Sequence, residues 1–295
     1  MRYGPAMADV HRHHDLAEFW ALTRDFYIAD PVLHTVPITA AELRLRNPIP
    51  DDEPPLLVTV TDGGRVVGAA LRTPPFPLEV TGLPVRWAPA VAEALAHQDV
   101  ELPGVGGRRD SVEAFVLAWT ERTRWNAEER QSLRLFRLGE LDPPRDVPGT
   151  ARLATEADMD LLVRWHYAFV DESVPHEPDL DRSRWFVERA LAVGTGQVLW
   201  LDGDKPVSLA AASTPLSGMS RVAPVYTPPE HRGRGYGSAV TAAVSQWAME
   251  AGAEHVVLFT DLANPISNSI YQRIGYRPVT DAAEFAFTEP APGRG

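Results

Sequence analysis

Apolar positions recur along this chain at two spacings, and the change from one to the other outlines its elements. Leu16, Phe19, Trp20, Thr23, Phe26 and Tyr27 fall at helical spacing and predict an amphipathic helix over 15–29. A proline-rich stretch follows. Two β-branched runs, 56–61 and 66–72, then flank Asp62-Gly63-Gly64-Arg65 in a hairpin pattern. Helical spacing returns over 111–122, and 133–138 reads as a strand. Pro143, Pro144, Pro148 and Gly149 break the pattern. Beyond them 151–154 reads as a strand, and Thr155-x-x-Asp158 is a capping pattern ahead of Met159, Leu162, Val163, His166 and Val170. A second helix over 181–193 closes at Gly194. Another hairpin, 198–201 and 207–213, turns at Asp202-Gly203-Asp204-Lys205. The rest predicts a strand over 222–226 and a helix over 238–249, with Ala239, Val240, Ala243, Val244, Trp247 and Ala248 on one face. A strand over 256–260, a short helix to Ile274 and two last strands complete it.

The hairpins repeat at an offset of 140, Asp62 to Asp202, which sets Val67 on Val207 and Ala70 on Ala210. Leu102-Pro103-Gly104-Val105-Gly106-Gly107, ahead of the 111–122 helix, reads as a second echo, of the strand, glycine turn and helix that end at 249. Two decayed copies of one unit are expected, over 1–145 and 150–288, with the proline segment between them. The first copy's glycines lack the spacing found in the second. Gly104, Gly106 and Gly107 therefore read as a plain turn, with a weak anion site as the alternative. The first copy is expected to contribute shape and not turnover.

The chemistry concentrates in one turn. Gly233, Gly235 and Gly237 stand at alternate positions between the 222–226 strand and the 238–249 helix. Glycine reaches positive φ without steric cost and lets backbone approach a ligand. A helix start offers unpaired N–H groups, so the segment predicts a phosphate site. It is no P-loop, because no Lys-Ser or Lys-Thr follows the last glycine. A dinucleotide turn, with Ser238 as third small residue and Asp261 as ribose acid, fits less well. Residues 228–232 insert a spacer that such a crossover lacks.

Arg232-x-x-Gly235-x-Gly237 resembles the pyrophosphate motif of the GNAT (GCN5-related) N-acetyltransferases. The stretch from Leu258 through Asn264, Ser267, Asn268 and Tyr271 to Gly275-Tyr276 resembles that family's second motif. The resemblance covers 150–288, and the whole layout is similar to that of tandem GNAT proteins with a degenerate first copy. It implies an α/β (α+β) fold of two GNAT-like domains, each a mixed, mostly antiparallel twisted sheet flanked by helices. It also implies an acyl-CoA-dependent N-acetyltransferase that passes acetyl from acetyl-CoA to a primary amine in a ternary complex. The alternative is a catalytically silent acyl-CoA-binding or sensing protein.

The resemblance assigns roles residue by residue. Backbone N–H groups from Arg232 or Gly233 through Arg234, Gly235, Tyr236, Gly237 and Ser238 would cradle the pyrophosphate. Arg232 and Arg234 would add charge, or simply be solvated. Val225, Tyr226 and Thr227 would splay from the neighbouring strand to receive pantetheine and the acetyl carbonyl. Pro224, Pro228 and Pro229 suit a strand that is unevenly paired, although an ordinary edge strand would carry them too. Asn264 would bond the pantetheine amide, or only cap its helix. Ser267 or Asn268 would reach the cofactor near its phosphates. Tyr271 would be the general acid, its phenol protonated at neutral pH and able to donate to a departing thiolate, against core packing as the alternative. Residues 218–227 hold no carboxylate to serve as base. Asp171, Glu172, His176 and Glu177 lie where the family builds acceptor pockets. Glu172 is the candidate base, with a solvated loop acid or a water-borne proton as alternatives.

Composition narrows the rest. With no Cys there is no disulfide, thiolate metal site or Cys nucleophile. His11-Arg12-His13-His14 has no spaced acid beside it and reads as a polar lead-in to a helix, so no metal is expected. The net charge of −12 argues against a nucleic-acid partner and agrees weakly with a cationic small-molecule or peptide amine. No apolar run suits a signal peptide or a bilayer span, so no membrane partner and a cytoplasmic location are expected. Twenty-seven prolines in 295 residues exceed the usual ~5% and predict heavily punctuated elements.

Overall fold

The computed structural model describes residues 9–48, 53–173 and 178–290; His176 and Glu177 lie outside them. The first half of the chain runs β1 (Asp9–His13), α1 (Leu16–Ile28), α2 (Thr35–Arg46), β2 (Leu56–Asp62), β3 (Arg65–Arg72), β4 (Leu78–Glu79), α3 (Ala88–His97), β5 (Gly104–Arg108), α4 (Arg109–Thr123) and β6 (Asn126–Leu138). The second half runs β7 (Thr150–Leu153), α5 (Met159–Ser173), α6 (Leu180–Ala192), β8 (Gly196–Asp202), β9 (Lys205–Ala212), β10 (Met219–Tyr226), α7 (Tyr236–Glu250), β11 (His255–Asp261), α8 (Pro265–Arg273) and β12 (Tyr276–Thr288). Each half spells the same order, β-α-α-β-β-β-α-β-α-β. The duplication expected from the hairpins is therefore a duplication of the whole unit.

The hairpins match residue for residue. Asp62 faces Arg65 as Asp202 faces Lys205, and Val60 faces Gly68 as Trp200 faces Ser208. Both ladders carry a bulge at the same place, between Val60 and Thr61 and between Trp200 and Leu201, so the offset of 140 holds through an irregularity. A bulge fixes register, because one slipped residue would turn a buried face to solvent. Local signals also set the helix starts. The Asp15 and Asp179 carboxylates accept from the N–H groups of Glu18 (2.8 Å) and Arg182 (2.6 Å). Thr155 N–H donates to Asp158 Oδ2 (2.8 Å), completing the expected capping pattern.

The chain divides into two compact units, but not at the proline segment. One unit takes residues up to Leu133 and again from Thr280; the other takes Arg134–Val279. Within the first unit the strand order is β1-β2-β3-β4-β5, with β12 beside β5. Within the second it is β7-β8-β9-β10-β11, with β6 beside β11. Each copy's last strand thus completes the other copy's sheet. The boundary expected at 145–150 is displaced for this reason, and the proline segment lies inside the second unit. Ala282 to Ala286 pair antiparallel with Arg108 to Gly104. Ala283 and Phe287 join the core around Val105, Val112, Phe115 and Trp119.

Other expectations change as well. The His11–His13 stretch is part of β1, where His13 Nε2 meets Thr59 Oγ1 at 2.9 Å, and is no helix lead-in. α2 occupies the proline-rich stretch, and the two last strands are one, β12. The stretch from Gly104 to Gly107 is strand β5 and not a turn, so its reading as an echo of the second copy's glycine turn fails. Its glycines serve close backbone contact. A Cβ on Gly104 would run into the Phe285 carbonyl. One on Gly107 (φ +137) would lie 2.7 Å from Thr81 N and 2.8 Å from Glu79 Oε1.

The exchange of strands makes a testable demand. Phe287 is 6% exposed and stacks on Trp119 with centroids 5.6 Å apart, although 168 positions separate them. Phe287→Ala should cost about 3–5 kcal/mol, read by denaturant unfolding. The loss should appear in the emission of Trp119, in the first half of the chain. A substitution that cost under about 1 kcal/mol would show that β12 is dispensable to that unit.

Candidate active site

The glycine turn lies between β10 and α7. Residues Pro229–His231 make one short helical turn, then Gly233 (φ +75) and Gly235 (φ +83) take left-handed conformations. Gly235 is the N-cap of α7 and no side chain caps the helix, so its first N–H groups, from Tyr236 to Ser238, lack intrahelical and capping partners. Nothing lies within 4 Å of a Cβ built on Gly233, while one on Gly235 would meet Val147 Cγ2 at 2.8 Å. The proline segment is thus packed along one side of the turn, and the other side is open. Trp200 Nε1–H anchors that segment through the Pro148 carbonyl (2.9 Å). Tyr236 is buried and its hydroxyl donates to Asp202 Oδ2 (2.7 Å); that bond to a carboxylate pushes the phenol's pKa up. Arg234 is exposed.

Strand β10 parts from β11 where the ligand would enter. Their parallel ladder runs from Met219–His255 to Val222–Leu258 and ends there, while the strands continue to Tyr226 and Asp261. On its other side β10 shifts register between Val222 and Val225 and then pairs with β9 again, Val225 with Ala210 and Tyr226 with Leu209. Pro224, which has no N–H to donate, sits in that shift. The diverging end is fastened to β9: Ser208 Oγ donates to the Tyr226 carbonyl (3.0 Å) and lies 2.7 Å from Thr227 Oγ1. Sequence reasoning passed over Ser208, and only its place opposite the strand end would have marked it. The backbone edge of 223–227 that faces β11 is left to take a partner.

Three side chains then converge. Glu172, in the last turn of α5, accepts from the Tyr226 hydroxyl at Oε1 (3.1 Å) and from Arg232 Nη2 at Oε2. Arg232 Nε also donates to the Thr227 carbonyl (2.9 Å), and its guanidinium lies over the Tyr226 ring at 6.0 Å. Burial, then the neighbouring Glu172 carboxylate, raises the Tyr226 phenol. Arg232 therefore reaches to the end of α5 and to the end of β10. Glu172 is already engaged at both oxygens, and Asp171 beside it is exposed. The Arg232 and Glu172 side chains are 49% and 36% exposed, so solvent screens the pair and holds it to about 0–1 kcal/mol.

Beyond β11, the Asn264 carboxamide oxygen caps α8 by accepting from Ser267 N–H (3.0 Å). Asn268 Nδ2 donates to the carbonyls of Asp261 (2.9 Å) and Asn264 (2.8 Å), and its Oδ1 is buried with no partner among the described residues. Tyr271 is 9% exposed and belongs to the core cluster that holds Val222, Val225, Val240, Leu258, Ile274 and Tyr276. The same cluster takes in Val222 and Val225 of β10, and the Tyr271 ring meets that of Tyr276 edge-on at 6.1 Å. Burial alone pushes the Tyr271 hydroxyl up to about 12. Among the described residues no group of His, Asp or Glu clusters as a metal site would, and no helix is long and apolar enough to cross a membrane.

Residues 159–276 match the model of the Acetyltransferase (GNAT) family. This segment is a GNAT-family domain. Its span covers α5, the diverging strands, the glycine turn and Tyr271. Solved structures with the same fold cover nearly the whole chain. A GCN5-related N-acetyltransferase from Sphaerobacter thermophilus is 17% identical over 96% of this chain and 96% of its own, with a TM-score of 0.60. A GNAT-family acetyltransferase from Colwellia psychrerythraea is 10% identical over 95% and 100%, at 0.58. A tandem GNAT protein from the clavulanic acid biosynthesis pathway is 14% identical over 97% and 100%, at 0.56. At these identities the likeness is one of fold. Among curated proteins none matches. The fold is thus that of two GNAT-like domains, and the second is of the acetyltransferase type.

The first copy lacks the slot of the GNAT domain. Ala69 N–H donates to the Gly82 carbonyl (3.0 Å) where Leu209 pairs with Tyr226, so at the offset of 140 Gly82 stands in the place of Tyr226. There the two parallel strands stay tied. Glu79 pairs with Gly106, Val80 N–H donates to the Gly106 carbonyl (2.9 Å), and Arg108 N–H donates to Thr81 Oγ1 (3.1 Å).

The Tyr271 shift has a consequence for stability. Its folded value lies above the unfolded value near 10, so the neutral phenol's contribution is full below about pH 10 and is lost as pH rises toward about 12. Chemical denaturation of Tyr271→Phe should show stability falling less steeply than in the parent protein over that interval. Parallel slopes would show that the hydroxyl reaches solvent freely.

Proposed function

We propose that the GNAT domain transfers acetyl from acetyl-CoA to a primary amine by direct attack in a ternary complex. The observation that carries this reading is the parting of β10 from β11 beside an uncapped α7. A long thioester donor needs both, an edge of free backbone for its pantetheine arm and a glycine-lined helix start for its pyrophosphate. The residues present fit that donor. The open face at Gly233, the free N–H groups through Ser238 and the buried Oδ1 of Asn268 are polar groups awaiting partners. Exposed Arg234, beside Tyr236, would add charge, Ser267 sits at the start of α8, and Asn264 keeps its amide nitrogen for a pantetheine carbonyl while its oxygen caps the helix.

In the proposed reaction the neutral amine nitrogen attacks the thioester carbonyl. One C–N bond forms, the C–S bond breaks, and the proton that the nitrogen must lose passes to Glu172 or to water. N–H groups on the Val225–Thr227 edge stabilise the oxyanion, and Tyr271 returns a proton to the leaving sulfur. A phenol held at about 12 is fully protonated at neutral pH, as a donor must be. It also puts any alkaline limb from Tyr271 beyond the usual assay range. Glu172 is placed near the diverging strand end for the acceptor side. The first copy, with its strands tied at Gly106 and Thr81, supports the fold and holds no donor.

A thiol-release assay with acetyl-CoA against a panel of amines tests the activity. CoA binding with no release toward any amine would favour a silent acyl-CoA sensor. For the donor site Gly237 is the informative position, since it has helical backbone and a Cβ there meets only Thr227 Oγ1 at 3.4 Å. Gly235 is not, because a side chain there would strike Val147. Gly237→Val should weaken CoA binding at least ~10-fold by calorimetry, with the fold intact; an unchanged affinity would move the phosphates elsewhere.

Tyr271→Phe keeps the ring in its core cluster and removes the proton. Turnover should fall by about 10²–10⁴ while CoA affinity stays within a few-fold, because the hydroxyl matters when charge develops on sulfur. Equal losses in affinity and rate would make Tyr271 a binding residue. Intact turnover would make it core alone.

A further inference from the structure

In the turn proposed to hold phosphate, the first arginine is already engaged by other groups. Arg232 turns back across the Tyr226 ring, and its Nη2 lies against Glu172, with Nε on the Thr227 carbonyl. The result is a cation held on an aromatic face by a carboxylate, at the mouth of the diverging strands. A carboxylate and a ring face together are a site selective for a cation. Trp165 walls it, with its ring 6.2 Å from that of Tyr226. Glu172 is further fixed by the Tyr226 hydroxyl, which would stay on Oε1 if Arg232 left.

We propose that Glu172 and the Tyr226 ring are the acceptor cradle, that Arg232 fills it in the donor-free protein, and that the acceptor is a cationic primary alkylamine. The proposal rests on the donor reading above. Arg232 belongs to the same turn as the open face at Gly233, and arginine matches phosphate with paired donors better than it holds a single half-exposed carboxylate. A pyrophosphate on that turn draws the guanidinium away and frees Oε2 of Glu172. An ammonium then replaces it without leaving a carboxylate unpaired. A neutral or anionic acceptor would leave that charge unmet, which sets the selectivity. The cradle stands at the end of β10, so an amine there is next to the backbone edge assigned to the acetyl carbonyl. Donor and acceptor binding are thereby coupled through one side chain.

Calorimetric titration with cadaverine, a diamine probe, tests this with and without saturating CoA, which has no acetyl group to transfer. The full chain should bind cadaverine about tenfold more tightly with CoA than without, within the range usual for coupled sites. By reciprocity cadaverine should tighten CoA by the same factor. Arg232→Gln should bind cadaverine without CoA as tightly as the CoA-saturated parent does. Glu172→Gln should lose about tenfold in the CoA-saturated state and should erase the difference that CoA makes. If CoA does not bind but Arg232→Gln still gains cadaverine affinity, the cradle stands and the donor reading falls. If Arg232→Gln gains nothing, or Glu172→Gln loses nothing with CoA bound, the pair is only a structural tie and the proposal is overturned. Tighter binding of glutarate than of cadaverine by the parent would overturn it as well.

Discussion

The site depends on where one ladder stops. Parallel strands β10 and β11 share four residue pairs and then separate, although both go on for several residues. Unpaired backbone in a protein is costly unless water or a ligand meets it. The separation therefore needs fixings on both sides, and the structure supplies them. Ser208 and the register shift at Pro224 hold β10 to β9, while Asn268 and the Asp261 carbonyl hold the end of β11 to α8. The first copy shows the opposite outcome from the same plan. There a shorter β4 stays tied to β5, and Gly107 lets the two backbones close up. One architecture thus yields a slot or a seam, according to whether the fifth strand can reach the fourth past the bulge.

The exchange of last strands makes each copy part of the other's fold. β6 lies beside β11, and Phe136 and Leu138 enter the core cluster that holds Tyr271 and Leu258. Removal of the first copy would take away the strand that covers the outer edge of β11. The wall on which Tyr271 rests would then be open. The first copy reaches the Tyr271 cluster through packing, which asks nothing of its own glycines.

What was legible in the sequence follows the range of the interactions. The hairpins, the Thr155–Asp158 cap and the glycine turn are set by neighbours a few residues apart, and their patterns survive in the residues. Element order in the second copy was legible through its motifs. α2 was not, because its residues include Pro37 and β-branched Thr35, Val36, Ile38 and Thr39, which mimic a broken coil until tertiary burial of Ile38 and Ala41 decides. β5 was read as a turn because glycines needed for close strand contact look the same as glycines needed for a bend. The strand exchange is invisible to any local pattern, since Phe287 carries no sign that its partner is Trp119. At the site, Glu172 was picked by position, but its engagement by Arg232 spans 60 residues and could only be seen in three dimensions.

That last contact alters how the turn should be understood. Read alone, Arg232 is one more positive charge near a phosphate. In place, it connects the glycine turn, the end of β10 through the Thr227 carbonyl, and the end of α5 through Glu172. If the uncapped N–H groups of α7 hold the donor's phosphates, as proposed, Arg232 is left to respond to their presence. A weak, half-exposed ion pair suits this task better than a buried one. Its low intrinsic stability lets a multiply charged ligand shift it, whereas a desolvated pair would stay closed. A half-exposed side chain with three polar or aromatic contacts is thus the one that joins the turn, β10 and α5.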